Sequence, residues 1–335
     1  MFRRLSRSPG RSGRIDVIET HFAWVFLTHA LAYKMKKPVR HRGMDYRTLA
    51  RRERGCRNEI RLNRRLAEST YLGVVPVMRR KDGSLGLGWG LRVVDWVVKM
   101  RRLPAARMLD RALASNAVTR RDVEAVTRLL SAFFTHARRA PMSPRAYVAR
   151  LRSQTLENSR DLHARDLGVS KRRVDEVIRA QLRFIAESAT LLGSRGSHLV
   201  DGHGDLRPEH VFLGSASDEP CVIDCLEFDR DLRRLDPAEE LAFLGLECAR
   251  VGDRGFAGDV TRNVQLTLDD PVTSPLMHFY MSQRAVIRAK TAVWHLRDPQ
   301  FAGQSRFWRA AGNSYLADAL RYIRLALREL AGRRD

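Results

Sequence analysis

Asp205 lies in the stretch Asp201-Gly202-His203-Gly204-Asp205-Leu206-Arg207-Pro208-Glu209-His210, and a second acid, Asp224, follows the apolar pair Val222-Ile223. Between them, apolar residues 211–213 and 221–223 flank a polar turn, the pattern of a short β-hairpin. Asp205 then sits on the loop entering the hairpin and Asp224 just past its exit. Two carboxylates well apart in sequence are thereby expected to face one small volume. One carboxylate of such a pair can accept a hydroxyl proton while the other holds a divalent cation against phosphate oxygens. Phosphoryl transfer asks for little beyond such positioning and charge neutralisation.

The remaining elements must hold that pair. Residues 15–18 and 22–27 are β-branched and aromatic, as strands require. A strand at 30–36 carries Lys34 and Lys36 on one face, because side chains two apart in a strand point the same way. Residues 48–66 follow a helical rhythm, with Leu49, Ile60, Leu62 and Leu66 apolar among charges. Strands at 74–78 and 91–98, with a turn at Lys81-Asp82-Gly83-Ser84, complete a small sheet with one helix inserted. After Leu103-Pro104 the chain reads as amphipathic helices at 107–113, 120–138, 144–155, 170–192, 275–296 and 307–330. The expected class is α+β. Residues 1–14 form a basic flexible tail, 15–98 a sheet-rich lobe, 99–104 a hinge, and 105–335 a helical lobe with the hairpin set into it.

Composition narrows the function classes. With 44% apolar and 30% charged residues in 335, the chain can bury a core, and wholesale disorder is excluded. The net charge of +23 comes mostly from arginines spread along the whole chain, which reads as solvated helix faces rather than one nucleic-acid patch. Residues 199–240 reverse the sign, with twelve acids against four arginines, which fits a cation-holding site. Cys56, Cys221, Cys225 and Cys248 show no metal spacing and read as core thiols of a reducing compartment. No apolar run nears the roughly 20 residues of a membrane span, so a cytoplasmic protein without a membrane partner is expected.

The motifs resemble a known family. His203-x-Asp205, with five residues to His210, is similar to the kinase catalytic loop HxDxxxxN, and Ile223-Asp224 to the metal-binding aspartate that opens the DFG position. The HGD variant resembles the aminoglycoside phosphotransferase and choline kinase-like family, as does Leu235-Asp236-Pro237-Ala238-Glu239-Glu240-Leu241-Ala242 beside its GDPxxDLA segment. More narrowly, Glu19-Thr20-His21, Ala32-Tyr33-Lys34-Met35-Lys36-Lys37-Pro38 and Asp224-Cys225-Leu226-Glu227-Phe228 look like an uncharacterised bacterial branch. In that branch the kinase-like part is often fused to a P-loop kinase domain. No GxxxxGK[ST] occurs in this sequence, so the stand-alone form is expected.

The resemblance implies a two-lobed protein-kinase-like fold that uses ATP with Mg²⁺, or Mn²⁺, to phosphorylate a small-molecule hydroxyl. Asp205 matches the catalytic base, with His203 bracing the loop and Arg207 counted beside them. Asp224 matches the metal ligand. Lys36, or Lys34, matches the strand lysine that touches phosphate, with Lys36 preferred, and Glu59 its helix partner. Lys99 and Met100 open the hinge that meets the adenine. Two departures stand out: His210 occupies the place of the second metal ligand, usually Asn, and residues 19–23 lack the glycines of a phosphate loop. Glu227 and Asp229 read as loop braces to Arg233 or Arg234, or as further metal or substrate ligands. Two other readings are a nucleotide-binding pseudokinase, supported by His210, and an Arg-rich nucleic-acid module. The latter draws on helix-turn-helix spacing in residues 164–174, whose other reading is one helix ended by Gly168 and another capped by Ser170.

Overall fold

Strand and helix boundaries follow local chemistry, as the start of the long N-terminal helix illustrates. Thr48 is extended and its hydroxyl accepts from Arg51 N–H, a side-chain cap, while Arg64 and Arg65 occupy the last turn, where the helix dipole favours cations. The computed structural model describes every residue except 1, 2, 11, 12, 42, 165, 166, 216, 217, 254, 298 and 333–335, and no side chain at 3–10, 13, 14, 41, 299, 300 or 302.

In chain order the elements begin β1 (Arg3–Gly10), β2 (Gly13–Glu19), β3 (Ala23–Leu27), β4 (Leu31–Lys36), β5 (Arg40–His41), β6 (Met44–Asp45) and α1 (Leu49–Ala67). Next come β7 (Tyr71–Arg79), β8 (Leu85–Leu87), β9 (Arg92–Arg101), α2 (Leu109–Ala114), α3 (Arg120–His136), α4 (Pro144–His163), α5 (Lys171–Glu187) and α6 (Ala189–Ser194). Short strands β10 (Val200–Asp201), β11 (Val211–Phe212), β12 (Cys221–Val222) and β13 (Arg234–Leu235) precede α7 (Pro237–Arg250), α8 (Phe256–Thr267), α9 (Ser274–Trp294) and α10 (Ser305–Ala331). This is the α+β class expected, with the sheet in the N-terminal part and most helices after it.

The chain divides into two compact units, Met1–Leu129 with His203–Arg233, and Leu130–Gly202 with Arg234–Asp335. The first holds an antiparallel sheet in the order β1-β2-β3-β4-β9-β7-β8, and the β11–β12 hairpin. Its core joins Cys56 and Ile60 of α1 to Ala32, Tyr71, Val98 and Met100 of the sheet and to Phe212 and Cys221 of the hairpin. The second unit is helical, with Leu162, Val177, Ile178, Val286 and Leu316 fully or nearly buried in one cluster. Asp236 caps α7 and is wholly buried, accepting from Ala238 N–H, Arg195 and Tyr280 OH. Among the described residues, no helix is long and apolar enough to cross a membrane.

Several expectations are corrected. Residues 3–10, read as flexible tail, form β1 against β2, where pairing satisfies backbone groups that an edge strand would leave open. Helix α4 runs on to His163, the stretch read as one helix breaks at Ser188 into α5 and α6, and α7 and α8 were not anticipated. Lys99 and Met100, expected in a hinge, lie inside β9. Lys99 pairs with Tyr33 and Gly73, and Met100 with Ala32 and Tyr71, so a strand flanked on both sides engages them. The ladder reaches Arg102, whose N–H donates to Ala30 O at 2.9 Å, and the connector begins at Leu103.

Candidate active site

β4 carries the two lysines on one face, as its period dictates, and α1 meets them with Glu59, which is fully buried. Lys34 Nζ lies 2.9 Å from Glu59 Oε1 and 2.5 Å from Asp224 Oδ1. Lys36 Nζ lies 2.7 Å from Glu59 Oε2 and also pairs with Glu227, to which Tyr46 OH donates at 2.9 Å. The lysines are not equivalent: the Lys36 side chain is 2% exposed against 16% for Lys34. Burial alone would lower both lysine pKa values. Asp224 and Glu59 reverse this for Lys34, as Glu227 and Glu59 do for Lys36, so both stay charged with pKa values raised. Burial likewise opposes ionisation of Asp224 and Glu227. Lys34 overrides it at the first and Lys36 at the second, holding both carboxyls below their usual range.

Gly55 explains how a lysine can pass under α1. A Cβ there would meet Tyr46 at 2.7 Å and the Lys36 stem at 3.0 Å, so the helix accepts a glycine where alanine would be better by about 0.5–1 kcal/mol.

The hairpin supplies the acids. Asp224 has φ +65°, a left-handed conformation that aspartate tolerates better than most residues. Its N–H donates to Tyr71 OH at 3.3 Å, and the next N–H, of Cys225, donates to Asn63 Oδ1 at 2.9 Å, so β7 and α1 hold the bend. Asp205 follows Gly204, which has φ +87°. The two carboxylates do share one volume, with the buried His210 ring between them. Its Nδ1 is 3.5 Å from Asp205 Oδ2 and its Nε2 3.6 Å from Asp224 Oδ2. Arg207 donates to His210 Nε2 at 3.1 Å, which puts the imidazole proton on Nδ1, donating to the Asp205 carbonyl at 2.9 Å. Arg207 Nε is 3.0 Å from Asp205 Oδ1.

His203, 1% exposed, accepts Asp205 N–H on Nδ1 at 3.2 Å and donates Nε2–H to Ile223 O at 3.0 Å, tying the two hairpin ends together. Burial pushes its pKa down to about 3, so it stays neutral.

The turn where a phosphate loop is expected is closed on itself. Thr20 N–H donates to Ala23 O, and the N–H groups of Phe22 and Ala23 donate to Thr20 Oγ1. Glu19 pairs with Lys37 at 2.7 Å.

Lysines 34 and 36 face three carboxylates, those of Glu59, Asp224 and Glu227, so the cluster carries an excess negative charge that a cation would offset. Asp224 is the carboxylate open to solvent, its side chain 42% exposed. Among the described residues no group of three or more His, Cys, Asp or Glu is poised around a metal. One or two protein carboxylates beside substrate phosphates is the usual manner of Mg²⁺, and the site fits that pattern.

The structure thus brings together Asp205, His203, Arg207, His210, Asp224, Lys34, Lys36 and Glu59, and leaves Lys99 and Met100 in the sheet ladder. Glu227 turns to Lys36 and Tyr46, while Arg233 donates to the carbonyls of Leu226 and Asp229, and Arg234 to that of Ala140. Tyr46, Tyr71 and Asn63 were missed. A glycine inside a helix four residues before Glu59 was the available signal for the first. Of the helix-turn-helix segment, Arg165 and Asp166 lie outside the described residues. Gly168 has φ +65°, Ser170 caps α5, and Val174 is buried.

No family model matches the chain. Uncharacterized proteins of Mycobacterium bovis (Mb2027c) and Mycobacterium tuberculosis (Rv2004c) are each 31% identical to it over 283 residues, 82% of this chain and 54% of theirs. The chain therefore spans about half the length of the curated relatives it matches. Among solved structures, a choline/ethanolamine kinase family protein from Mesorhizobium loti aligns with TM-score 0.54 at 12% identity, covering 94% of each chain. LicA in complex with AMP aligns with TM-score 0.51 at 15% identity, covering 93% of this chain and 94% of that one. The GDP complex of aminoglycoside 2'-phosphotransferase-IIIa aligns with TM-score 0.50 at 13% identity, covering 95% and 93%. At such identities the likeness is one of fold, and the fold of this chain is the protein-kinase-like one.

Proposed function

We propose that the chain is an ATP-dependent phosphotransferase acting on the hydroxyl of a small molecule, with Asp205 as the base. The observation that carries this reading is the Lys34 ammonium, which joins Glu59 to Asp224 at 2.9 and 2.5 Å, with Asp205 across the His210 ring from Asp224. Its partial exposure favours Lys34 over Lys36 as the lysine that reaches phosphate, while Lys36 is enclosed by Glu59, Glu227 and Tyr46. Arg207 would orient the Asp205 carboxylate, and His203 would keep the two hairpin ends in register. Asp224 would hold a divalent metal, with His210 Nε2 as the second donor once Arg207 releases it; the metal, when bound, neutralises phosphate charge. Residues 103 and 104, past the ladder, are the place where backbone would meet the base of the nucleotide. Solved relatives in fold hold AMP or GDP, which supports nucleotide use.

The test is thermal unfolding with and without ATP and Mg²⁺ or Mn²⁺. Nucleotide with metal raises Tm in the wild type, and Asp224→Ala removes the shift. Equal shifts in both proteins would overturn the role of Asp224. A second reading, a nucleotide-binding pseudokinase, draws on His210 and on the closed turn at residues 20–23, and predicts binding without transfer.

A further inference from the structure

Helix α5 opens with Lys171, Arg172 and Arg173 and has no acid in its first turn, the reverse of what the helix dipole favours there. Helix α10, which packs against α5, places Arg321, Arg324 and Arg328 at three- and four-residue spacing on one face. These three and the half-buried Arg173 line a surface cavity of about 310 Å³ whose apolar side is Leu320 and Leu325.

Two acids reach this surface, and each is shared with an arginine outside the cavity. Glu176 pairs with Arg172 at 3.1 Å and with Arg324 at 3.7 Å. Asp318 pairs closely with Arg250 and is 3.7 Å from Arg321. Among the described residues no carboxylate pairs with Arg173 or Arg328. Four guanidinium groups therefore line one cavity against two carboxylates that are each shared with an arginine outside it, at a helix end that favours anions.

We infer that this cavity binds a small anion carrying two or three phosphoryl groups. Guanidinium groups match phosphoryl oxygens in pairs, and the cavity has room for such a group. The site belongs to the helical unit and does not depend on the phosphotransferase reading.

Calorimetric titration of the full chain with inorganic pyrophosphate, in low salt with EDTA, tests this. Wild type and Asp224→Ala bind one equivalent alike, and Arg324→Ala/Arg328→Ala weakens binding by about tenfold or more, as loss of charge-assisted bonds requires. Arg173→Ala, on the other helix, weakens it too. Unchanged affinity in these variants, displacement by equimolar sulfate, or tighter binding of a DNA duplex through the same arginines would each overturn the inference.

Discussion

His203 offers a quantitative test of how the hairpin is held. The ring is 1% exposed and bonded at both nitrogens to backbone, with a pKa of about 3 against an ordinary value near 6.5. The unfolded chain therefore takes up a proton below pH 6.5 that the folded chain refuses until about pH 3. Stability is full above 6.5 and falls as pH drops, at up to about 1.4 kcal/mol per pH unit. Between pH 7.5 and 4.5 this one residue costs about 2.5 kcal/mol. Urea unfolding of wild type and His203→Asn across that range measures it. The asparagine can still accept Asp205 N–H, and its pH slope should be shallower by about that amount. Ring NMR gives a second view, with no titration of His203 above pH 4. A His203 ring that titrates near 6.5, or parallel slopes in the two proteins, refutes the reasoning.

Lys36→Met leaves the half-buried Glu227 without a cation and Glu59 with Lys34 alone, and should cost about 3–5 kcal/mol in urea unfolding, whereas Lys34→Met should cost less and chiefly abolish the nucleotide-induced Tm shift. His210→Asn should preserve or raise Mg²⁺-dependent turnover, since it restores an oxygen donor, and His210→Ala should lower it; steady-state kinetics decides. Gly55→Ala, which helix propensity alone would favour, should lower Tm because its Cβ meets Tyr46 at 2.7 Å. Arg195→Met should cost about 3–5 kcal/mol by leaving the buried Asp236 without its cation.

The hairpin and its two acids were legible because apolar pairs, a polar turn and carboxylates at both exits admit few arrangements. The strand of Lys34 and Lys36 and the helix of Glu59 were legible for the same reason, through their periods of 2 and 3.6. Which lysine meets Asp224 was not, since both share a face and the difference arises from Gly55, Tyr46 and Glu227 converging on Lys36. The end of β9 was missed because Lys99 and Met100 precede Leu103-Pro104, and pairing on both edges carries the ladder further than composition indicates. Helix α7 was hidden behind its own motif: Asp236-Pro237 reads as a family segment and is also an N-cap followed by a proline at N1.

Transfer of the γ-phosphate is most directly tested by ATP turnover against sugars, amino alcohols and aminoglycosides, with wild type and Asp205→Asn measured side by side. The wild type should phosphorylate at least one acceptor, and the variant should keep nucleotide binding while losing on the order of 100-fold or more in turnover, as removal of a general base does. Normal turnover by Asp205→Asn would contradict the role of Asp205, and nucleotide binding without transfer in the wild type would replace the enzyme by a pseudokinase.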